Sequence, residues 1–295
     1  MAPLSAWISA ARMRILPASA IPTIIGIVLA AQEGHFDLFT ASITLLCAMM
    51  LQTTSNLLND LYDFKHGADF KRIGPPRAVA SGAISEQSMR QVSWILFAIT
   101  FAIGLILVQK AGWPILLIGI FSLWGAFAYT GGPYPLAYHA LGEACAFIFY
   151  GVIPVWGSYY IQIPETDYTI SVGITGIIMG LFAAKILLVN NIRDIDTDPP
   201  AGKITLAVHL GEKKSRIFYI ILMSLSYILL LFLALYKQSL SILLPVVLIP
   251  FALSLSKNII QLPKAQLTSV LQKTAIHLFA FGVLLGIGII LSTKF

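Results

Sequence analysis

Residues 52–82 read Q-T-T-S-N-L-L-N-D-L-Y-D-F-K-H-G-A-D-F-K-R-I-G-P-P-R-A-V-A-S-G, and little else in the chain before Asn190 carries such a density of charge. An apolar run ends here and gives way to amides and carboxylates, which cations follow. Gln52, Asn56, Asp60 and Asp63 recur at a spacing that places them on one face of a helix. A polar face at the end of an apolar span is costly unless it lines a cavity or holds a ligand. The stretch therefore predicts a helix that carries part of a functional site.

The composition of the whole chain is that of an integral membrane protein. Of its 295 residues, 58% are hydrophobic and 11% are charged, and the mean hydropathy is +0.85. Soluble domains carry about 25% charged residues. The formal net charge is +6, but the cations are spread over short connections between apolar runs, as is typical of loops that face a cytoplasm. We therefore predict contact with a lipid bilayer and no binding of nucleic acid.

Apolar runs of about the length that crosses a bilayer predict an all-α fold. They indicate nine transmembrane helices, near residues 15–33, 41–63, 91–110, 113–130, 139–160, 170–193, 216–236, 239–256 and 273–293. If the Asp60 end of the second helix is cytoplasmic, most cations fall on that side, and the other side receives Lys110, Lys237 and Lys294. We expect a multi-pass protein of the cell inner (cytoplasmic) membrane, with its N-terminus and its active-site loops in the cytoplasm.

A second polar cluster follows the sixth predicted helix, where the chain reads N-N-I-R-D-I-D-T-D-P-P-A-G-K-I-T-L from residue 190. Asn190, Asp194 and Asp198 recur at i, i+4 and i+8, but the two prolines that follow push Asp198 away from helical geometry, so we expect it on the emerging loop. Each polar cluster follows the second helix of a group of four. We therefore expect two related four-helix groups with a ninth helix added, in a single transmembrane domain over residues 1–295, and a central cavity that opens to the cytoplasmic side.

The two clusters would bring as many as six carboxylates to one end of the membrane, at helix C-termini where the dipole is also negative. Such charge requires bound cations. Oxygen ligands suit Mg²⁺, which is commonly held by one or two carboxylates and by phosphate oxygens. Basic side chains near both clusters are candidates for binding a diphosphate: Lys65, Lys71, Arg72, Arg77, Arg193 and Lys203. This pattern favours loss of diphosphate from a prenyl donor and transfer of the allylic carbocation to an electron-rich acceptor.

Polar residues between the fourth and fifth predicted spans are candidates for the acceptor site. Tyr134 and Tyr138 could stack on an aromatic acceptor or could be interfacial tyrosines. Glu143 lies just inside a span, where an unpaired carboxylate is costly, so we expect it in the cavity near the acceptor. The spacing leaves open whether Asp69 and Asp196 contact the metal.

The motifs N-L-L-N-D-L-Y-D-F-K-H-G-A-D, Y-T-G-G-P-Y-P-L-A-Y-H-A-L-G-E and N-N-I-R-D-I-D-T-D-P-P-A-G-K-I-T-L resemble the 1,4-dihydroxy-2-naphthoate polyprenyltransferase family of menaquinone biosynthesis, within the UbiA superfamily of intramembrane prenyltransferases. The resemblance extends from Trp7 to about Gly211. It implies Mg²⁺ as cofactor and transfer of a polyprenyl group from polyprenyl diphosphate to 1,4-dihydroxy-2-naphthoate. Carboxylate and diphosphate are lost in that reaction, which gives demethylmenaquinone. An acid that many superfamily members carry at the position of Gly67 is replaced here by Asp69, as in the naphthoate branch.

The spacing and the resemblance together give the expected site residues. The expected metal ligands are Asn56, Asp60, Asp63, Asp69, Asp194 and Asp198, and the expected catalytic residues are Asp60, Asp63, Asp194 and Asp198. The expected substrate-binding residues are Asn56, Lys65, Arg72, Arg77, Tyr134, Tyr138, Glu143, Asn190, Asn191 and Lys203. One alternative is a UbiA-type enzyme with another aromatic acceptor, such as hydroxybenzoate or homogentisate. Another is a cation-coupled transporter, because intramembrane acids also mark ion pathways.

Overall fold

The computed structural model describes residues 2–13, 16–69, 76–164 and 169–292, with the backbone alone for residues 16–18. These residues form twelve α-helices: α1 Leu4–Ala11, α2 Leu16–Gln32, α3 Leu38–Lys65, α4 Glu86–Ala111, α5 Trp113–Ala128, α6 Gly142–Phe147, α7 Ile153–Gln162, α8 Ile170–Arg193, α9 Leu206–Leu210, α10 Glu212–Lys237, α11 Ile249–Gln261 and α12 Leu267–Leu291. A π-helical segment, Ile148–Val152, joins α6 to α7, and a 3₁₀ helix, Leu240–Leu248, leads into α11. The described residues contain no β-strand.

Seven helical segments within the described ranges are long and apolar enough to cross a membrane: Leu38–Lys65, Glu86–Ala111, Gly142–Gln162, Ile170–Arg193, Glu212–Lys237, Leu240–Gln261 and Lys264–Leu291. Two shorter apolar helices, Ser19–Gln32 and Trp113–Ala128, lie where the first and fourth spans are predicted. The predicted all-α, multi-pass membrane fold is therefore confirmed. The count of nine crossings and the relation between two four-helix groups stay predictions.

Polar contacts fix the start of α3 against the end of α4. The Asp37 carboxylate caps α3 by accepting a hydrogen bond from the Thr40 N–H at 2.9 Å, so the helix begins at Leu38 rather than at residue 41. Lys110 Nζ, in the last turn of α4, lies 3.2 Å from Asp37 Oδ1 and 2.7 Å from the Thr40 hydroxyl. These two helix ends therefore lie at the same end of the bundle.

α8 is the central helix of the bundle. It packs against α6, α7, α10 and α12, and its side chains Ile178, Met179, Phe182 and Leu188 are fully buried. Large apolar side chains on α4, α5 and α10 are exposed instead, as on helices that face lipid. The polar residues at the C-terminal end of α8 are consequently held inside one end of the bundle.

A close backbone contact sets how α8 meets the segment between α6 and α7. A Cβ atom built on Gly151 would lie 2.1 Å from Gly180 Cα, and one built on Gly180 would lie 2.6 Å from the Phe147 carbonyl oxygen. Neither position has room for a side chain. Small residues allow helix backbones to approach closely in membranes. This contact holds α6, which carries Glu143, against α8.

Gly180→Ala should force α8 away from the π-helical segment. Overpacking a tight core costs about 1–3 kcal/mol, so we expect a lower midpoint of thermal unfolding in detergent. Gly119→Ala is the matched control, because Gly119 lies in helix α5 and a Cβ atom there would meet nothing within 4 Å. An unfolding midpoint for Gly180→Ala at or above that of Gly119→Ala would contradict the close packing.

Candidate active site

Asn56, Asp60 and Asp63 are buried side chains near the C-terminal end of α3. The Asp60 carboxylate accepts hydrogen bonds from two backbone N–H groups, that of Ala78 to Oδ2 at 3.0 Å and that of Val79 to Oδ1 at 2.9 Å. These charge-assisted bonds hold the segment around Ala78 against α3. Asp60 therefore anchors this segment, and its oxygens retain lone pairs for a further ligand.

Asp63 is the centre of a buried network of charges. Its Oδ2 accepts a hydrogen bond from Arg77 Nη2 at 3.1 Å, and its Oδ1 accepts one from the Tyr138 hydroxyl at 2.9 Å. Arg77 Nε also lies 3.6 Å from Asp69 Oδ1, an ion-pair distance longer than that of a good hydrogen bond. Since unpaired charge in a buried site is costly, Arg77 stabilises both carboxylates.

The second cluster lies at the C-terminal end of α8 and is organised by Arg193. The Arg193 guanidinium donates to both oxygens of Asp194, from Nε to Oδ1 at 2.7 Å and from Nη2 to Oδ2 at 2.6 Å. Nη2 also donates to Asn190 Oδ1 at 2.8 Å. A bidentate arginine pair is strong and directional, so the orientation of the Asp194 carboxylate is fixed.

Asp198 lies just beyond α8 and is only partly paired. Lys203 Nζ is 3.3 Å from Oδ1, whereas Oδ2 is buried and has no hydrogen-bond partner among the described residues. Burial raises the pKa of Asp198 to about 6; the nearby Lys203 opposes this rise, and the carboxylates of Asp194 and Asp63 add to it. Of Asp194 and Asp198, Asp198 is therefore the acid with the weaker charge compensation.

The connection between α5 and α6 joins the two clusters. The Tyr138 hydroxyl binds Asp63, and the Tyr138 carbonyl oxygen accepts a hydrogen bond from the Ile204 N–H at 3.0 Å. Burial and the neighbouring Asp63 raise the pKa of Tyr138 well above its ordinary value, with Asp69 and Asp198 acting in the same direction, so the hydroxyl remains a donor. Tyr138 therefore links Asp63 to the segment that contains Lys203, the residue that pairs with Asp198.

Glu143 and Asn191 form a buried polar pair between α6 and α8. Asn191 Nδ2 donates to Glu143 Oε1 at 2.9 Å. Glu143 Oε2 is also buried, and it has no hydrogen-bond partner in the part of the chain that the structure describes. A buried carboxylate oxygen of this kind is suited to accept a hydrogen bond from the hydroxyl group of a ligand.

Other predicted site residues lie apart from this arrangement. Lys65 Nζ pairs with Glu86 at 2.9 Å, and both side chains are more than a third exposed. The Tyr134 ring is exposed and stacks on His139, with ring centroids 3.7 Å apart. Arg72 lies outside the described residues. The structure therefore brings Arg77 and Lys203, rather than Lys65, next to the buried acids.

No three His, Cys, Asp or Glu side chains among the described residues lie close enough to hold a metal ion by themselves. Asp196 is exposed and pairs with Lys264, so it lies apart from the buried acids. Asp69 lies within ion-pair distance of Arg77. A metal ion in this site would need additional oxygen ligands from a bound molecule.

One contact of the site has no signal in the sequence. The Thr130 hydroxyl donates to Asn59 Oδ1 at 2.8 Å, and both side chains are buried. The sequence places Asn59 directly before Asp60 in the polar stretch, but it does not indicate which residue binds Asn59. This hydrogen bond ties the start of the α5–α6 connection to α3.

An apolar cavity of about 170 Å³ adjoins the first cluster. Gln52 and Tyr150 line it at one end, and Gln52 Nε2 donates to Asn56 Oδ1 at 3.2 Å. The cavity continues along α3 past Cys47 to Thr44, and its other walls come from α2, α4, α5, α6, the π-helical segment and α7. A predominantly apolar chamber therefore begins beside a buried polar site.

Fold and site together define a multi-pass membrane protein with a charged site beside an apolar chamber. Residues 19–282 match the UbiA prenyltransferase family, and the chain belongs to that family. It is therefore a membrane prenyltransferase, and the resemblance noted in the sequence is confirmed.

Two relatives and one solved structure illustrate the similarity. A 1,4-dihydroxy-2-naphthoate octaprenyltransferase of Escherichia coli (strain K12) is 36% identical over 221 residues, which cover 72% of this chain and 71% of that protein. A protein of the same name from Mycobacterium tuberculosis is 34% identical over 220 residues, which cover 74% of each chain. The solved structure of a UbiA homolog from Archaeoglobus fulgidus bound to DMAPP and Mg²⁺ has a TM-score of 0.65 at 17% identity, over 95% of this chain and 98% of that chain.

Asp60→Ala should release the segment that Asp60 anchors. The change leaves two buried N–H groups without their acceptor, at about 1–3 kcal/mol for each. We expect faster hydrogen–deuterium exchange at the amides of Ala78 and Val79. Asp196→Ala is the control, because Asp196 is an exposed carboxylate paired elsewhere. Unchanged exchange in Asp60→Ala, or equally fast exchange in the control, would contradict the anchoring role.

Proposed function

We propose that the chain transfers a polyprenyl group from polyprenyl diphosphate to 1,4-dihydroxy-2-naphthoate, with Mg²⁺ as cofactor. The observation that carries this proposal is that Tyr138 links the first acid cluster to the segment of Lys203 and Asp198, close to an apolar cavity. A prenyl diphosphate has a charged head and an apolar tail, which match these two parts. The names of the relatives from E. coli and M. tuberculosis support the choice of acceptor.

Arg77 and Lys203 are the cations that would bind the diphosphate from opposite sides. Arg77 is held beside Asp63, and Lys203 is held beside Asp198. Because a carboxylate already orients each cation, little reorganisation is needed when the donor binds. We assign a further phosphate contact to Arg72 from its place in the motif.

The donor atoms of the site fit Mg²⁺. The candidate ligands are all oxygen atoms, and the buried Asp198 Oδ2 lacks a partner among the described residues, as expected of an atom that binds a cation. Asp63 and Asp198 would hold the ion, with the remaining candidates around them: Asn56, Asp60, Asp69 and Asp194. When bound, Mg²⁺ would neutralise charge on the leaving diphosphate. The A. fulgidus homolog of this fold is described with Mg²⁺ bound.

Glu143 and Asn191 would orient the acceptor. Asn191 fixes one oxygen of Glu143, and the other oxygen would accept a hydrogen bond from a ring hydroxyl of the naphthoate. This contact makes the ring carbon that bears the carboxylate more electron-rich. That carbon bonds to the prenyl group as the bond to diphosphate breaks. The electron pair of the carboxylate bond then restores the aromatic ring as carbon dioxide leaves, and the product is the quinol form of demethylmenaquinone.

We further propose that residues 1–295 form one transmembrane domain with its site on the cytoplasmic side of the cytoplasmic membrane. In the sequence, most of the basic residues fall in connections on the same side of the predicted spans as the two acid clusters. At the opposite end, Lys110 contacts Asp37 and Lys237 contacts Gln32. This asymmetry supports a cytoplasmic N-terminus and cytoplasmic site loops.

Product analysis by mass spectrometry tests the proposed reaction. Purified protein in lipid nanodiscs, given Mg²⁺, octaprenyl diphosphate and equal amounts of 1,4-dihydroxy-2-naphthoate and 4-hydroxybenzoate, should yield the prenylated naphthoquinol alone. Chelation of the metal should abolish the product. A benzoate product alone would overturn the acceptor, and the absence of any prenylated product would overturn the reaction.

Asp198→Asn supplies the matched variant for this assay. Loss of a charge that stabilises the leaving diphosphate should lower kcat/KM about 100-fold. Asp196→Asn, which alters a nearby exposed carboxylate, should leave kcat/KM unchanged. Equal activity of the two variants would remove Asp198 from the proposed site.

Glu143→Gln should weaken acceptor binding without affecting the donor. A hydrogen bond to a neutral amide is weaker than one to a carboxylate by about 1 kcal/mol, so the KM for the naphthoate should rise about fivefold to tenfold. The KM for octaprenyl diphosphate should not change. Glu33→Gln serves as control, because Glu33 pairs with Tyr159 away from the acid clusters. A parallel rise in both KM values would contradict an acceptor-specific role.

A further inference from the structure

We propose that the groove between α10 and α11 binds one anionic phospholipid of the surrounding leaflet. The lipid phosphate would lie between Lys213 and Lys257, and an acyl chain would lie along Ile217. The groove is lined by the start of α10, by the end of α11 and by the residues that follow α11. Its lining includes none of the candidate site residues, so this inference does not rest on the proposed reaction.

Arg216 is a buried residue of the groove that ties its two walls together. Its Nη1 donates to the carbonyl oxygens of Ile259 and Leu262, at the C-terminal end of α11, with a distance of 3.0 Å to Leu262. Its Nε and Nη2 donate to Glu212 Oε1, in the first turn of α10, at 3.0 and 2.6 Å. Charge-assisted hydrogen bonds of this kind are strong and directional. The start of α10 and the end of α11 are therefore held at a fixed separation.

The uncompensated positive charge of the groove lies at its exposed edge. Glu212, the acid of the groove, pairs with Arg216 at 2.6 Å and lies 3.5 Å from Lys264. Lys213 and Lys257 are exposed, and neither has an ion-pair partner within the part of the chain that the structure describes. Two such cations beside an acid that other side chains already neutralise favour an anionic ligand.

The contacts of Arg216 also set the distance between the two lysines. Lys213 lies three residues before Arg216 on α10, and Arg216 meets α11 at the level of Ile259 and Leu262. Lys257 lies less than two turns before that level. At 1.5 Å per residue, the two lysines are about 10 Å apart along the helix axes. Their flexible four-carbon stems can bring both ammonium groups to one phosphate.

Exposed apolar side chains accompany each lysine. On α10, Ile217 follows Lys213 by four residues, lines the groove and is exposed. On α11, Leu253 and Ile260 flank Lys257 at spacings of four and three residues, and both are exposed. These spacings place each set on one helix face. Each wall therefore offers a cation and an apolar surface, which match the phosphate and the chains of a phospholipid.

The lysines lie at the level of lipid headgroups. Helix α10 has 26 residues and is about 39 Å long at 1.5 Å per residue, whereas the hydrocarbon core of a bilayer is about 30 Å thick. Lys213 at one end and Lys237 at the other therefore extend beyond the hydrocarbon, and Ile221 lies within it. Lys257 lies one turn before Gln261, the last residue of α11, and a lysine at that depth reaches the headgroups by snorkelling.

This combination of features selects one class of occupant. Inorganic phosphate would contact the lysines but would leave the apolar walls uncovered. A zwitterionic phospholipid would bring a cation of its own next to the lysines. An anionic phospholipid satisfies both parts of the groove, and basic pockets between transmembrane helices bind anionic headgroups in other membrane proteins.

Native mass spectrometry of the purified protein in detergent tests the site. Titrated with phosphatidylglycerol or with phosphatidylcholine of the same chain length, the wild-type protein should bind its first phosphatidylglycerol about tenfold more tightly. Lys213→Gln combined with Lys257→Gln should remove that preference. Lys214→Gln combined with Lys273→Gln is the matched control and should keep it. The control removes the same charge from exposed residues, because Lys214 lies about 100° around α10 from Lys213 and Lys273 lies on α12.

Three results of this titration would overturn the lipid site. One is a preference that survives in the variant of Lys213 and Lys257, and another is a preference that both double variants lose equally. Equal binding of the two lipids to the wild-type protein would indicate annular lipid only. Displacement of phosphatidylglycerol by millimolar inorganic phosphate would indicate an anion site that makes no use of the lipid chains, and it would overturn the proposal as well.

Photo-crosslinking gives a readout of position. Phosphatidylglycerol that carries a diazirine on an acyl chain, diluted into phosphatidylcholine nanodiscs, should label the peptides that contain Ile217 and Ile260 most heavily. The α5 peptide that contains Leu117 and Ile120 is the reference, because both side chains are exposed and apolar. Phosphatidylcholine with the same diazirine should label the three peptides alike. Uniform labelling by the phosphatidylglycerol probe would contradict a specific site between α10 and α11.

Discussion

The pairing of buried carboxylates is the constraint on which this end of the protein depends. Asp60, Asp63 and Asp194 are nearly inaccessible, and an isolated charge in such a place costs several kcal/mol. Backbone N–H groups offset the first of these charges, whereas Arg77 and Arg193 offset the other two. The same contacts that neutralise the acids fasten loop segments to the helix ends. Compensation of the buried charges and positioning of the loops therefore depend on the same contacts.

Two buried carboxylate oxygens of the site are candidates to bind a ligand. Asp198 Oδ2 and Glu143 Oε2 are buried and lack hydrogen-bond partners among the residues that the structure describes. Native proteins leave few buried polar atoms in this state, so each such atom requires an explanation. One oxygen belongs to the acid clusters, where a cation is expected, and the other lies beside Asn191, where a hydroxyl group is expected. The proposed binding sites for the prenyl donor and for the aromatic acceptor are thus separate.

The sequence predicts the helices and the polar faces well, because both depend on local spacing. Because Asn190 and Asp194 are four residues apart, helix geometry alone places them on one face. The partners of these acids could not be predicted in the same way. Lys65 and Arg77 are both basic residues that follow Asp63, yet only Arg77 turns inward, because its position depends on the loop that Asp60 anchors. Tyr138 likewise joins the clusters through a connection whose path requires tertiary contacts.

The π-helical segment Ile148–Val152 also sets the rotational register of the helix that contains it. Each residue of an α-helix turns the chain by about 100°, so the wider turn rotates α6 relative to α7. That offset lets Glu143 meet Asn191 while Gly151 meets Gly180 on the same neighbouring helix. A chain one residue shorter in this segment would keep its hydrophobicity and its length across the bilayer. The Glu143 carboxylate would nevertheless no longer face Asn191. Its orientation therefore depends on the π-helical segment rather than on a regular α-helix.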